Sequence, residues 1–466
     1  MAQGESPSRD LTIPPLGMGL RINLSIMMFL QFAIWGAWFV VFIPYLKTFG
    51  FTSGQAATIF GNMALGAVLS TLFAGYIADR FIASEKLMAY CHLLGGVLLL
   101  GMSQITSPEP MSFWMLFAVS LLYALVYNPT LALSNSIAFT HIPDATRDFP
   151  GVRVLGTLGW IAAGFLIDFL FHRGVLTVTN NNGPLLLAAG LSIALGIYSF
   201  FLPHTPPSGK AGDTIPFIKA LGLFKDFSFA VFFVVSFVIT IVLAFYYAFT
   251  SDFLGAKVGV KNIGSVMSIG QWAELILLPL LPIFLWRIGM KWVLALGMLC
   301  WGIRYALFAY GGPDPFPFTL VIVGIALHGI CFDFFFAAGF IHVDNEAPKD
   351  IRASGQALFS FLTYGVGMWL GSLLSGRVAE YFTTGEGDSK VMDWQGFWLV
   401  PSVGVIISLV IFVLFFRGSS QNKGVGDLPP DSQSSPTGLP SQPADEHVQT
   451  EAPADGAMKT EEPVGG

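Results

Sequence analysis

The sequence predicts an all-α integral membrane protein of twelve transmembrane helices in two pseudo-symmetric six-helix halves, and three observations lead there. Of 466 residues, 54% are hydrophobic and only 11% charged, whereas a soluble chain needs about 25% charged residues to cover its surface. The apolar residues fall in long stretches, and about 20 of them in a row span a bilayer. A polar connection near the middle divides those stretches six and six.

Cutting at polar or Pro/Gly-rich breaks places the helices near 22–46, 54–79, 87–106, 111–138, 152–172, 184–203, 228–254, 263–286, 291–311, 317–342, 353–382 and 394–416. Residues 1–21 have no signal-peptide core before a cleavage site, so the first helix is expected to be retained and this segment to be cytoplasmic. Residues 22–203 form the N-terminal half. The connection 204–227 contains Pro206, Pro207, Gly209, Gly212 and Pro216, which read as a linker. Residues 228–417 form the C-terminal half. The tail 418–466 is rich in Pro, Gly, Ser, Asp and Glu and is expected to be a disordered cytoplasmic extension.

Lys and Arg set the orientation. The loops on the side of both termini carry Arg9, Arg21, Arg80, Lys86, Arg147, Lys210, Lys219, Lys225, Arg287, Lys291, Lys349, Arg352, Arg417 and Lys423. The opposite loops carry only Lys47, Arg173, Lys257, Lys261 and Lys390. By the positive-inside rule both termini are cytoplasmic, in a multi-pass protein of the plasma (inner) membrane. The net charge of -6 resides partly in the tail, so no nucleic-acid partner is expected. Cys91, Cys300 and Cys331 all fall in apolar stretches and form no disulfide or metal framework.

The halves echo each other. The turn after the second helix reads Gly75-Tyr-Ile-Ala-Asp79-Arg80, with Lys86 beyond it, and the turn after the eighth reads Trp286-Arg287-Ile-Gly289-Met-Lys291. Two such halves describe a secondary transporter with its site at the midplane between them. Read alone, Asp79, Arg80 and Lys86 also fit ordinary loop charges.

A carboxylate interrupts the eighth apolar stretch, Glu274, with Gln271 three residues before it and so on the same helix face. A charge at that depth costs about 2.5–3.5 kcal/mol on insertion scales, and such residues usually face a polar pathway. A buried structural ion pair with Arg153 or Arg304 is the competing reading. On the fifth helix Arg153, Thr157 and Trp160 recur at i, i+4 and i+7, stacking a guanidinium, a hydroxyl and an indole on one stripe. Arg153 near the cytoplasmic end also fits a side chain snorkelling to the interface. On the tenth helix His328 and Phe332 share a face, with Asp333 displaced by about 100 degrees. No glycine-rich phosphate loop, metal-spaced histidine pair or Ser-His-Asp arrangement is evident. No catalytic set, cofactor or metal is therefore expected.

Gly75-x-x-x-Asp79-Arg80 resembles the conformational-switch loop of the major facilitator superfamily, although the basic run that usually follows is displaced here by Phe-Ile-Ala-Ser-Glu-Lys. Within that superfamily the chain resembles the nucleoside:proton symporters, the bacterial nucleoside and xanthosine permeases. The resemblance covers about 24–415 and rests on strings such as Phe29-Leu-Gln-Phe-Ala-Ile-Trp35, Asp148-Phe-Pro-Gly-Val-Arg153, Met267-Ser-Ile-Gly-Gln271-Trp-Ala-Glu274, Arg304-Tyr-Ala-Leu-Phe-Ala-Tyr-Gly311, Cys331-Phe332-Asp333 and Ile351-Arg-Ala-Ser-Gly-Gln356.

The resemblance implies a transporter that imports nucleosides with protons, with Arg153, Thr157, Trp160, Tyr247, Gln271, Glu274, His328 and Phe332 at the substrate. The family pattern has Phe where Trp160 stands and Tyr where His328 stands, so His328 is expected either to supply a hydrogen bond or to titrate. Ala244 and Tyr247 stand where two amides face the base, which leaves substrate identity the weakest implication. A carboxyl taken out of water holds its proton more readily, which makes Glu274 and Asp333 the expected proton-coupling residues. The remaining alternatives are a proton symporter for sugars or another small polar solute, and a membrane ligand sensor. The implied partners are nucleoside, protons and the lipid bilayer, with the chain acting as a monomer.

Overall fold

The computed structural model describes residues 14–70, 82–173, 182–207, 219–348, 351–385 and 389–418. The turn residues Gly75, Asp79 and Arg80, residues 208–218 of the central connection and the tail beyond Gly418 lie outside them.

The described chain is helical almost throughout. It runs through α1 Met18–Trp38, a 3-10 turn Phe39–Val41, α2 Phe42–Thr48, α3 Ser53–Phe60, α4 Asn62–Ser70, α5 Ser84–Met102, α6 Pro110–His141, α7 Ala145–His172 and α8 Gly183–Ser199. After the central connection come α9 Phe227–Phe253, α10 Ile263–Leu277, α11 Leu281–Ala309, α12 Pro315–Ala326, α13 His328–Phe332, α14 Ala338–Glu346, α15 Arg352–Ser360, α16 Met368–Tyr381 and α17 Trp394–Phe415. Many pieces join end to end. Nine continuous helical stretches among the described residues are long and apolar enough to cross a membrane, one of them the 47-residue Ile263–Ala309. Gly289 interrupts that stretch with φ 76° and ψ 164°, a conformation open to glycine and costly for a residue with a Cβ. The interruption falls where the sequence places a turn between the eighth and ninth helices.

Helix starts follow local chemistry. Thr52 and Gln55 form a capping box at α3, and Asp144, Asp226 and Asp393 accept backbone N–H groups at α7, α9 and α17. Trp114, Ile197, Phe201, Val234, Trp286 and Leu414 are all more than half exposed, as a lipid-facing perimeter requires.

Packing sorts the helices into two groups. Within the first, α1 lies along α7 and α5 along α8; within the second, α11 lies along α17 and α9 along α16. The interior of the first group holds a buried polar network. Gln31 Nε2 donates to Thr130 Oγ1 at 2.8 Å, and Gln31 Oε1 lies 2.8 Å from His92 Nε2. Aromatic rings fill the second, with Tyr305 stacked on Trp398 at 5.6 Å and on Trp301 at 5.9 Å. The groups meet where α7 faces α10 and where α3 faces α16.

Candidate functional site

Close backbone approaches inside each group hold in place the two helices, α7 and α10, that face each other across this seam. A Cβ on Gly36 of α1 would lie 2.8 Å from the Trp160 carbonyl oxygen, so only glycine lets α1 press on α7 there. A Cβ on Gly329 of α13 would lie 2.6 Å from the Ala273 carbonyl carbon and 2.8 Å from the Glu274 nitrogen. The backbone that carries His328 is thus seated directly on the backbone that carries Glu274.

A cavity opens between α1, α7, α9 and α10, lined by Val40, Trp160, Tyr246, Tyr247, Ser268 and Gln271 among others. Its walls are aromatic. Trp160 meets Trp35 edge-on at 5.3 Å, and Phe39 bridges the seam, 6.1 Å from Trp160 and 5.9 Å from Tyr247. Three polar atoms at this cage, Gln271 Oε1, Trp35 Nε1 and Tyr246 Oη, are buried without a hydrogen-bond partner among the described residues. An acceptor and a donor left unpaired beside aromatic faces suit a planar, polar solute.

Of the eight residues expected at the substrate, Trp160, Tyr247 and Gln271 line the cavity itself. Arg153 and Thr157 continue the Trp160 stripe along α7, and the Arg153 guanidinium lies 4.1 Å over the Phe32 ring, half-buried within the bundle. Glu274 is one turn on from Gln271. It forms no ion pair with Arg153 or Arg304 among the described residues, although Arg153 and Glu274 act on each other through space. Arg304 instead contacts His328, Nη1 to Nδ1 at 3.1 Å. His328 stacks on Tyr246 at 5.3 Å and lies 5.6 Å from Phe332, so this pair packs against Tyr246.

Asp333 is 1% exposed, its Oδ2 has no hydrogen-bond partner among the described residues, and Glu274 acts on it electrostatically.

Trp35, Phe39, Tyr246 and Tyr364 also belong to this region and are not among the residues expected there. Trp35 reads equally well as part of an aromatic packing stripe with Gln31 and Trp38. Tyr364 lies in a π-helical segment, Phe361–Gly367, where helical periodicity misplaces side chains.

Three contacts tie the two groups at one end. Lys47 Nζ lies 2.7 Å from Asp252 Oδ2. The Asp168 carboxylate accepts from Gly264 N at 3.3 Å and from Ser265 N and Oγ at 2.6 Å. Glu380 accepts from Thr52 Oγ1 at 2.8 Å and Gly54 N at 3.0 Å. At the opposite end, Arg21 and Arg147 bind Asp148, and Arg352 binds Asp344, each inside its own group.

Two helical groups around a shared cavity, tied at one end, define a multi-pass transporter of the major facilitator type. The chain belongs to the nucleoside H+ symporter family, whose model matches residues 18–421. It is 40% identical over 409 residues to the putative nucleoside transporter YegT of Escherichia coli (strain K12), covering 86% of this chain and 95% of that one. Over 418 residues it is 32% identical to the xanthosine permease of the same organism, covering 86% and 96%. The crystal structure of the nucleoside transporter NupG superposes with a TM-score of 0.77 at 30% identity, covering 86% of this chain and 100% of that one. A POT family transporter, 15% identical with a TM-score of 0.63, shares the fold.

Proposed function

We infer that this chain imports nucleosides together with protons by alternating access, rocking two six-helix halves around the seam cavity. Twelve spans result if the apolar stretch 54–79 of the sequence counts as one span, the short apolar α8 as another, and Gly289 divides Ile263–Ala309. Residues 22–203 and 228–417 are then the halves, and both termini face the cytoplasm. The single observation that carries the reading is the cage of Trp160, Tyr247 and Gln271 on the seam of a chain belonging to this family. Rings offer the base a face, and the amide offers its edge a donor and an acceptor.

Arg153, Thr157 and Glu274 extend the site toward the ribose, Glu274 and Asp333 exchange the transported proton, and Gly75, Asp79 and Arg80 form the switch loop. The chain works as a monomer in the inner membrane. With this orientation the end tied by Lys47, Asp168 and Glu380 is outside, which corresponds to the inward-facing state.

The test is uptake of labelled uridine into proteoliposomes, with nucleosides and sugars as competitors. Nucleosides should compete, sugars should not, and a protonophore should abolish accumulation. Competition by sugars alone would overturn the assignment. Stacking of a base on an aromatic side chain contributes about 1–3 kcal/mol, so Trp160→Ala should weaken uridine binding at least about fivefold; unchanged affinity by calorimetry would remove Trp160 from the site.

A further inference from the structure

Arg304 is fully buried in α11, yet its guanidinium has no carboxylate paired to it among the described residues. Its Cζ sits 3.3 Å from the centroid of the Tyr246 ring, and its Nη1 lies 3.1 Å from His328 Nδ1. Its Nε and Nη2 have no hydrogen-bond partner among the described residues. A guanidinium carries five N–H donors, has no acceptor, and keeps its proton in proteins. The contact therefore has one sense: Arg304 donates and Nδ1 accepts with its lone pair. The single ring proton of His328 is left on Nε2, because a doubly protonated ring would turn N–H toward N–H.

The ring is clamped in this orientation. Tyr246 stacks on it with the planes 19° apart, and Tyr247 meets it edge-on at 6.3 Å. Across from them Gly270 of α10 leaves just enough room, since a Cβ there would come within 3.0 Å of the His328 Cβ and 3.3 Å of the ring. Nε2 makes no hydrogen bond to a described residue, whereas Tyr247, against the ring edge, lines the cavity.

We propose that Arg304 is a positioning residue that locks His328 in the Nε2–H tautomer, so that His328 offers the substrate a fixed hydrogen-bond donor. The ligand atom that meets it is an acceptor. On the nucleoside reading, on which this part rests, that atom is a base carbonyl, a ring nitrogen or a ribose oxygen. The lock itself is independent of that reading.

Nitrogen-15 NMR of histidine-labelled full-length protein in nanodiscs reads the tautomer directly, with the His328 signals assigned by their loss in His328→Gln. The wild type should show a protonated Nε2 and a bare Nδ1, and Arg304→Met should lose that single state. A wild-type ring protonated on Nδ1, or on both nitrogens, overturns the proposal, and the wild-type spectrum decides the matter even if Arg304→Met does not fold. Binding gives a second readout. In His328→Gln the amide oxygen accepts from Arg304 and the amide N–H₂ faces outward, so uridine affinity should stay within about twofold; His328→Leu, which lacks the donor, should lose about tenfold. Equal losses in the two variants overturn the donor role. Failure of the wild type to bind any nucleoside would sink the functional reading while the tautomer result stands.

Discussion

Glu274→Gln is expected to abolish uphill accumulation of substrate while leaving downhill exchange in place. The substitution keeps the shape and an acceptor oxygen but removes the group that takes up and releases a proton. One proton moving through 100 mV supplies about 2.3 kcal/mol, which corresponds to roughly 50-fold accumulation of a neutral solute at tenfold per 1.36 kcal/mol. That ratio should fall to unity in the variant. Counterflow of labelled uridine, which needs no driving force, should persist. Accumulation equal to wild type would move the coupling role to Asp333, which is buried nearby with an unpartnered oxygen.

Asp168→Asn is expected to release the outer closure. Asp168 is 7% exposed and its carboxylate receives the free N–H groups at the start of α10 from across the seam, where unpaired donors and the helix dipole both favour negative charge. An asparagine loses the charge and directs an N–H₂ at one of those donors. Hydrogen bonds to charged groups contribute about 1.5–3 kcal/mol, so the balance between inward- and outward-facing states should shift outward tenfold or more. A cysteine introduced by Ser268→Cys on the cavity wall reports this through its rate of reaction with an impermeant maleimide added outside. Unchanged labelling would show that Lys47 with Asp252 and Thr52 with Glu380 hold the end closed without Asp168.

Much of this was legible in the sequence because it depends on composition and local period. Apolar length located the long helices that the described residues contain, and the 3.6-residue repeat put Arg153, Thr157 and Trp160 on one stripe and Gln271 beside Glu274. The contacts across the seam were not legible. Nothing local links Lys47 to Asp252 or Asp168 to Ser265, which meet only when distant helices pack. Tertiary packing also decided Arg304, which read as a candidate partner for Glu274 and instead faces a histidine and a tyrosine. Phase is a further obstacle: Asp333–Ala337 and Phe361–Gly367 are π-helical, and each widened turn shifts the face presented by everything after it. Tyr364 escaped notice for that reason.

Among the described residues the seam includes a place where backbone meets backbone. A Cβ on Gly264 would lie 2.6 Å from the Gly164 carbonyl oxygen, and one on Gly164 would meet Gly264 at 3.4 Å, so two bare backbones touch beside the Asp168 cap. Interlocked side chains must leave their rotamers before two surfaces slide, and dense packing resists that. Smooth backbone against smooth backbone has nothing to unlock. On the alternating-access reading this crossing parts and re-forms together with the Asp168 contact, and no side chain has to leave its rotamer there for the outer end to open or close.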